Sequence, residues 1–458
     1  MKQMLTASLF ALHTALFSQT VISGNVSGTW NMAGSPYYVV GNTTVMNSLT
    51  IEAGVLVQFQ AGGHSITVGP NAQFLAQGTA AEPIVFEPLF GTNPGSWEKL
   101  LFTSSAGDDT LSHVTLRHAV NAVEITGNGC TPYFDNCTME GCSSSGINVI
   151  DRGHPVFHQC VSRNNALHGA KVYSSYDIQT TYATFYKCRM HDNGGDGINI
   201  RTDNAGIATM SVINCTIAHN LGSGVSNTAN PIGDATTTLT NSILAYNADH
   251  GLYNNIGVMN ADFVAHNLFW GNGTSGILGI AATDFGSNTS TNVNGDSCDV
   301  NLNLFLDPVF CDPDTLLRDY TLSTSMLTSP AIDAGTPIIL GTVVMDPDLT
   351  MPDLGSEWPA LPCTVGMLES ASNVMALTTC PNPASNWIEI RVEQAGFIES
   401  GPHRLDVFDS MGARAMSTTL QGNYDRIDIS DLAPGVYHLT IPRNSGPGAM
   451  HASLIKVD

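Results

Sequence analysis

Residues Val212–Val225 read VINCTIAHNLGSGV. The same skeleton returns as FHQCVSRNNALHGA at Phe157–Ala170, FYKCRMHDNGGDGI at Phe185–Ile198 and LTNSILAYNADHGL at Leu239–Leu252. Aligned on the cysteine position and a glycine nine residues later, the copies become Cys137/Gly146, Cys160/Gly169, Cys188/Gly197, Cys215/Gly224, Ser242/Gly251 and Asn267/Gly276. Successive anchors stand 23, 28, 27, 27 and 25 residues apart. A period of this size marks a solenoid, in which each unit buries its apolar face only against its neighbours. The units carry no 3.6-residue apolar periodicity. Short alternating runs such as Ile147-Asn148-Val149 and Ile198-Asn199-Ile200 predict strands with one buried face.

Leucine-rich repeats have a similar period, but their leucine spacing is absent. A right-handed parallel β-helix fits better: an all-β solenoid with about three short strands per coil and coils stacked ~4.8 Å apart. Equivalent residues then line up. Cys137, Cys160, Cys188 and Cys215 form an inward column, as do Met139, Met190, Ile217 and Leu244. Asn165, Asn193, Asn220, Asn247 and Asn272 form a turn column whose amides can bond along a ladder. The anchor glycines are expected to free the backbone at the bend before the next strand. The column cysteines are expected as buried thiols. Cys298 and Cys311, which flank a loop, are the expected disulfide.

The 458 residues hold 39 acids against 16 Lys plus Arg, a formal charge of −23. That balance argues against nucleic acid or an anionic membrane surface as partner, since both demand basic patches. Only 12% of residues are charged and 44 are glycine, which suits a turn-rich β protein rather than disorder. The opening MKQMLTASLFALHTALFSQT has Lys2, an apolar run from Leu5 to Phe17 and the small Ser18, so residues 1–18 read as a secretory signal peptide. No later run approaches the ~18 apolar residues of a membrane span. Export permits disulfides among the ten cysteines.

LTIEAGVLVQFQ (Leu49–Gln60) and the Trp97–Phe102 stretch resemble the opening coils of bacterial parallel β-helix repeat proteins. Asp307–Gly335, with DPVFCDP and SPAIDAG, resembles the way that family's helices end, and VGMLE at Val365–Glu369 resembles its closing motif. This resemblance implies the fold and no particular activity, because the fold hosts many. Past the polar linker SASNVMALTT the grammar changes to alternating strands separated by Gly, Pro and Asn turns, which predicts a small antiparallel β-sandwich. Its residues resemble the C-terminal sorting domain of the type IX secretion system of the Bacteroidota. The matching positions are Pro381, Asn382, Pro383, Met411-Gly412, Ile427-Asp428-Ile429-Ser430, Leu432, Gly435, Tyr437 and Lys456. The resemblance implies the type IX machinery as partner and a secreted or outer-surface location reached through the periplasm. The expected organisation is a signal peptide over 1–18, a lead-in or cap over 19–44, a β-helix of roughly eleven coils over 45–335, a cap and linker over 336–378 and the sorting sandwich over 379–458.

Solenoid register turns sequence offsets into neighbours. It places His168 beside Asp196, Asp192 beside His219 and Arg163 beside His191, with Lys171, Tyr173, Asn199, Arg201 and Tyr253 on the next strand's outward face. His168, Lys171, Asp196 and Arg201 are the candidates for catalysis. Arg163, His191, Asp192, His219, Tyr173 and Tyr253 are the candidates for ligand binding. A lyase would need a cation, Ca²⁺ or Arg, against a uronate, and a base such as Lys, His or Tyr. A glycosidase would need two carboxylates flanking the bond, and only the isolated Asp192 and Asp196 stand here. Asp346, Asp348 and Asp353 share the composition of a Ca²⁺ loop and read as a solvated acidic turn. The expected function is therefore a non-catalytic adhesion or glycan-contact protein that needs no cofactor and meets extracellular polysaccharide. The alternative is a polysaccharide lyase, with Ca²⁺ as its one candidate cofactor.

Overall fold

The computed structural model describes residues 19–457 except 104–107, 176–179, 230–232, 256–263, 281–283, 314–317, 325–327, 340–341, 344, 357–374, 381–383, 395–402, 410–413, 421–423 and 443–448. The expected signal peptide, the Val365–Glu369 motif, Pro381, Asn382, Pro383 and Met411-Gly412 lie outside the described residues. The described residues divide into two compact units, one within 19–313 and 318–356 and the other within 375–457.

The first unit is a parallel β-helix. One coil runs from Val161–Arg163 to Ala170–Ser174 to Thr180–Tyr186, and the chain then returns as Arg189–His191 in register on Val161–Arg163. Three parallel sheets result. Eight coils consist of three separate strands, from Leu56–Phe59, Ile66–Val68 and Gln73–Gln77 to Ile243–Ala245, His250–Asn254 and Val264–Ala265. Two earlier coils, Thr20–Trp30 and Tyr37–Glu52, are each one long strand bent round all three sides. The parallel ladder thus begins at Thr20 rather than near residue 45. Residues 19–44 have the alternating pattern but no Cys/Gly anchor, so they resemble a lead-in when read by anchors. The ladder's last strand is Ser275–Leu278, well short of 335.

The core holds stacked columns. Phe134, Phe157 and Phe185 stack with centroids 4.7 and 5.2 Å apart. Cys137, Cys160, Cys188 and Cys215 are fully buried free thiols, each donating to a carbonyl one coil back, such as Cys188 Sγ to Phe157 O at 3.3 Å. Burial pushes the Cys160 and Cys215 thiols well up, and the Cys142 thiol up to about 12. The expected Cys298–Cys311 bridge is not formed. Cys298 is a buried free thiol, whereas Cys311 is disulfide-bonded.

The asparagine ladder is present. Nδ2 of Asn165 donates to Asn193 Oδ1, Asn193 to Asn220 and Asn220 to Asn247, each at 2.9 Å, and Asn247 to Asn272 at 3.0 Å. The anchor glycines do a different job from the one expected. Left-handed backbone falls instead on non-glycine corner residues. One column is Asn136, Gln159, Lys187, Asn214, Asn241 and His266, with φ between 50° and 55°. The other includes Asn164, Asp192, His219 and Tyr246, with φ between 55° and 57°. The anchors are glycine because coils approach too closely for a Cβ: one on Gly197 would collide with Ile217 Cγ2 and lie 2.7 Å from Gly224 O.

Downstream of the last ladder strand the chain closes the helix end and then folds back. Asn303 extends the cysteine column, which has become Ser242 and Asn267, by accepting from Asn267 Nδ2 at 3.1 Å, and Phe305 stacks on Phe269 at 5.9 Å. The following residues run back along the sheet that carries Val161–Arg163. Its outward positions change there from charged to apolar, and Ala218, Ile243, Ala245 and Leu268 form a second core with Phe310, Tyr320, Leu322, Ala331 and Leu354. Thr216 Oγ1 accepts from Ser356 N at 3.0 Å, and Asn214 Nδ2 donates to Asp353 O at 3.0 Å. The acidic turn expected as solvated is tied into this segment. Asp346 and Asp353 are each only 3% exposed, Asp346 Oδ2 accepts from Asp353 N at 3.0 Å, and only Asp348 faces water.

The second unit packs a three-stranded antiparallel sheet, Met375–Cys380, Trp387–Gln394 and Tyr424–Asp428, with a four-stranded one, Arg414–Leu420, His403–Asp409, Gly435–Pro442 and Ala449–Lys456. Ile388, Ile390, Leu405, Val407, Leu439, Ile441 and Leu454 fill the space between. Its first strand starts at Met375, four residues ahead of the expected boundary at 379.

Candidate functional site

The sheet containing Ala170–Ser174 presents one polar side chain per coil. Register aligns Glu124, Asn148, Lys171, Asn199, Ser226 and Tyr253 in a single outward file. Inward neighbours Val149, Val172 and Ile200 fill the core, so the strand's alternation puts the polar set outside. The file is recessed: Glu124 and Asn199 are 9% exposed and Ser226 5%. Its members bond to one another and to the corner. Lys99 Nζ lies 3.0 Å from Glu124 Oε1, Asn148 Nδ2 donates to Glu124 Oε2 at 2.9 Å, and Asn199 Nδ2 donates to Asp196 Oδ2 at 3.1 Å.

A second file, Tyr173, Arg201 and Thr228, rises alongside. Tyr173 Oη donates to Asp203 Oδ2 at 2.9 Å, and Arg201 pairs with Asp203 at 3.1 Å. Lys171 Nζ sits 4.8 Å from the centre of the Tyr173 ring. Arg201, Thr202, Asp203, Thr228 and Ala229 line an open cleft of about 260 Å³. Burial, helped by the Arg201 charge, lowers the Lys171 ammonium below its ordinary value.

At the corner preceding this sheet, His168 and Asp196 stand on adjacent coils as expected. His168 Nδ1 accepts from Asp196 N at 3.0 Å and lies 3.5 Å from Asp196 Oδ2. Burial lowers His168 despite that carboxylate, which matches an imidazole used as acceptor at Nδ1. Tyr253 stacks on His250 at 5.5 Å. The structure therefore brings His168, Lys171, Tyr173, Asp196 and Arg201 together on one face, with Tyr253 at the end of the file.

Four expected residues belong elsewhere. Arg163 lies on the neighbouring sheet and pairs with Glu140 at 2.8 Å. His191 is 4% exposed, with its ring 5.5 Å from Tyr320 and Nδ1 2.8 Å from Asp192 Oδ2. Arg318 clamps Asp192 with bonds of 2.6 and 3.0 Å, and His219 Nδ1 is 3.1 Å from Tyr320 Oη. The fold-back segment takes up these last three, which the repeats alone could not reveal.

Several members were absent from the expected set. Asn148 and Ser226, like the expected Lys171 and Asn199, each stand two residues after an anchor glycine, so the anchor offset carried the signal. A file on the third sheet, Asp135, His158 and Tyr186, with Tyr133 stacked diagonally on His158, was also missed. Its rings stack 6.4 and 5.3 Å apart, and Asp135 holds His158 at 2.7 Å. No group of three or more His, Cys, Asp or Glu among the described residues is arranged to hold a metal ion.

In the sandwich, Tyr437 Oη donates to Ala433 O at 2.8 Å, fixing the turn that precedes the Gly435–Pro442 strand. Lys456 is 7% exposed and its ammonium donates to Val457 O at 2.9 Å. No helix among the described residues is long and apolar enough to cross a membrane.

Residues 117–297 match the family described as right handed beta helix region. Residues 379–455 match the secretion system C-terminal sorting domain. No curated protein matches the chain.

Proposed function

Taking the chain as a right-handed β-helix protein with a C-terminal type IX sorting domain, and so as a secreted or surface protein, we propose that it is a non-catalytic contact protein whose recessed polar file meets extracellular glycan. The observation that supports this reading is the file itself: Glu124, Asn148, Lys171, Asn199, Ser226 and Tyr253, one per coil and in register. Coils ~4.8 Å apart offer an extended polymer one polar contact per coil. Amide, hydroxyl and ammonium groups suit sugar hydroxyls, and Arg201 beside the file adds a planar cation. The contact reading needs no cofactor.

The second reading, a lyase, draws support from Lys171, whose lowered ammonium is what a proton-abstracting base requires. It adds Ca²⁺ as a candidate cofactor. A glycan array on the purified chain, run beside an acidic-polysaccharide depolymerisation assay with and without Ca²⁺, separates the two. The contact reading expects array binding that Lys171→Ala with Arg201→Ala abolishes without lowering the melting temperature, and no depolymerisation. Absence of binding to any glycan would overturn it, and chain cleavage lost in Lys171→Ala would establish the lyase.

A further inference from the structure

The first two coils differ from the rest in composition. From Gln19 to Ile51 the chain has no Lys, Arg, Asp or Glu, although its formal charge is −23. Four large apolar side chains there face water: Val21, Met32, Val40 and Met46, between 36% and 65% exposed. Among the described residues Thr20–Trp30 pairs only with Tyr37–Glu52, and none of them pairs with its other edge on any of the three sides of the helix. Ile22, Val26 and Trp30 point inward and form the floor of the core. Open strand edges are normally blunted by charge or proline. This strand, TVISGNVSGTW, has neither.

We propose that this end of the solenoid is an interface for a second copy of the chain, the two terminal coils meeting edge to edge about a twofold axis perpendicular to the helix axis. Register shifts at Ile22/Gly24 and Val26/Gly28 divide the strand into three segments. A twofold through the middle segment lays Gly24–Val26 antiparallel to itself with Asn25 at the centre. It also lays Thr20–Ile22 over Gly28–Trp30 of the second copy and the reverse. All three sides pair at once, and each edge supplies the donors and acceptors the other lacks, which is the self-complementarity a twofold contact demands. The charge pattern selects the occupant. Two copies that each carry −23 repel everywhere that acids are dense, so a charge-free end is where they can meet.

Sedimentation velocity of the chain lacking residues 1–18, over a hundredfold range of concentration, should show a monomer–dimer equilibrium. Asn25→Glu with Ser27→Glu, both at exposed positions, should weaken association at least tenfold and leave the melting temperature unchanged. Asn25→Cys should give a covalent dimer on mild oxidation with diamide, while Asn47→Cys, exposed on the next coil, should not. A monomer throughout, a dimer that survives the two glutamates, or cross-linking at residue 47 in preference to 25 would each overturn the proposal. Should the glutamate variant fail to fold, the cross-linking comparison decides it.

Discussion

Asn220 holds three coils together with one side chain. Its Oδ1 accepts from Asn193 Nδ2 at 2.9 Å and from Asn193 N at 3.2 Å, while its Nδ2 donates to Asn247 Oδ1 at 2.9 Å and to Met190 O at 3.0 Å. Asn220→Ala strands buried donors on Asn193 and buried acceptors on Asn247 and Met190. Unpaired buried groups cost about 1–3 kcal/mol each. Urea denaturation should therefore show a loss of about 3–5 kcal/mol, and a loss under 1 kcal/mol would mean the ladder is dispensable. Gly197→Ala should cost about 1–3 kcal/mol in the same assay, because its Cβ meets Ile217 Cγ2 and Gly224 O on the next coil. The columns themselves were legible from spacing. Their reasons were less so: a repeated glycine shows that a Cβ is excluded, but not whether backbone angle or a neighbour excludes it. The corners' left-handed residues are as varied as Gln159, Lys187 and His266, a variety that hides a shared conformation from any reading by residue type.

Among the elements, the fold-back segment is the one that sequence reading missed. In the outward column Arg163, His191, Ala218, Ala245, Trp270, the change from charged to small apolar residues marks where Phe310, Tyr320 and Leu354 pack. The partners lie 101 and 126 residues downstream of His219 and Asp192, beyond the reach of a periodic argument. Burial works to raise the Asp192 carboxyl, but hydrogen bonds from His191 and Arg318, with the Arg318 charge, outweigh it and hold it at about 2. An unfolded Asp titrates near 3.9. The Asp192 contribution is therefore present above about pH 4 and disappears as the pH falls toward 2, a loss of about 2 kcal/mol. Pepsin should cut within residues 284–356 markedly faster at pH 2 than at pH 4 after correction for its own activity. Arg318→Ala should be cut at pH 4 as readily as the parent is at pH 2. Equal protection of parent and variant at pH 4 would remove the clamp from the account.

At the scale of the whole molecule, burial sets the response to pH. It lowers His168, His191 and His266 below their ordinary value, so each stays neutral in the fold while the unfolded chain protonates near pH 6.5. Their contribution to stability is thus present above about 6.5 and lost below it, and the melting temperature should fall between pH 7 and pH 5. A flat profile there would show that these imidazoles are reached by water. The sandwich, whose residues 379–455 match a secretion sorting domain, supplies export, which leaves the β-helix for the contact role proposed above. Surface-protease accessibility in a type IX-competent host tests it most directly, comparing the full chain with one that lacks residues 379–458. The full chain should be digested on intact cells or recovered from the medium, while the truncated chain should stay folded and protected in the periplasm. A truncated chain that reaches the surface as efficiently as the full one would contradict it.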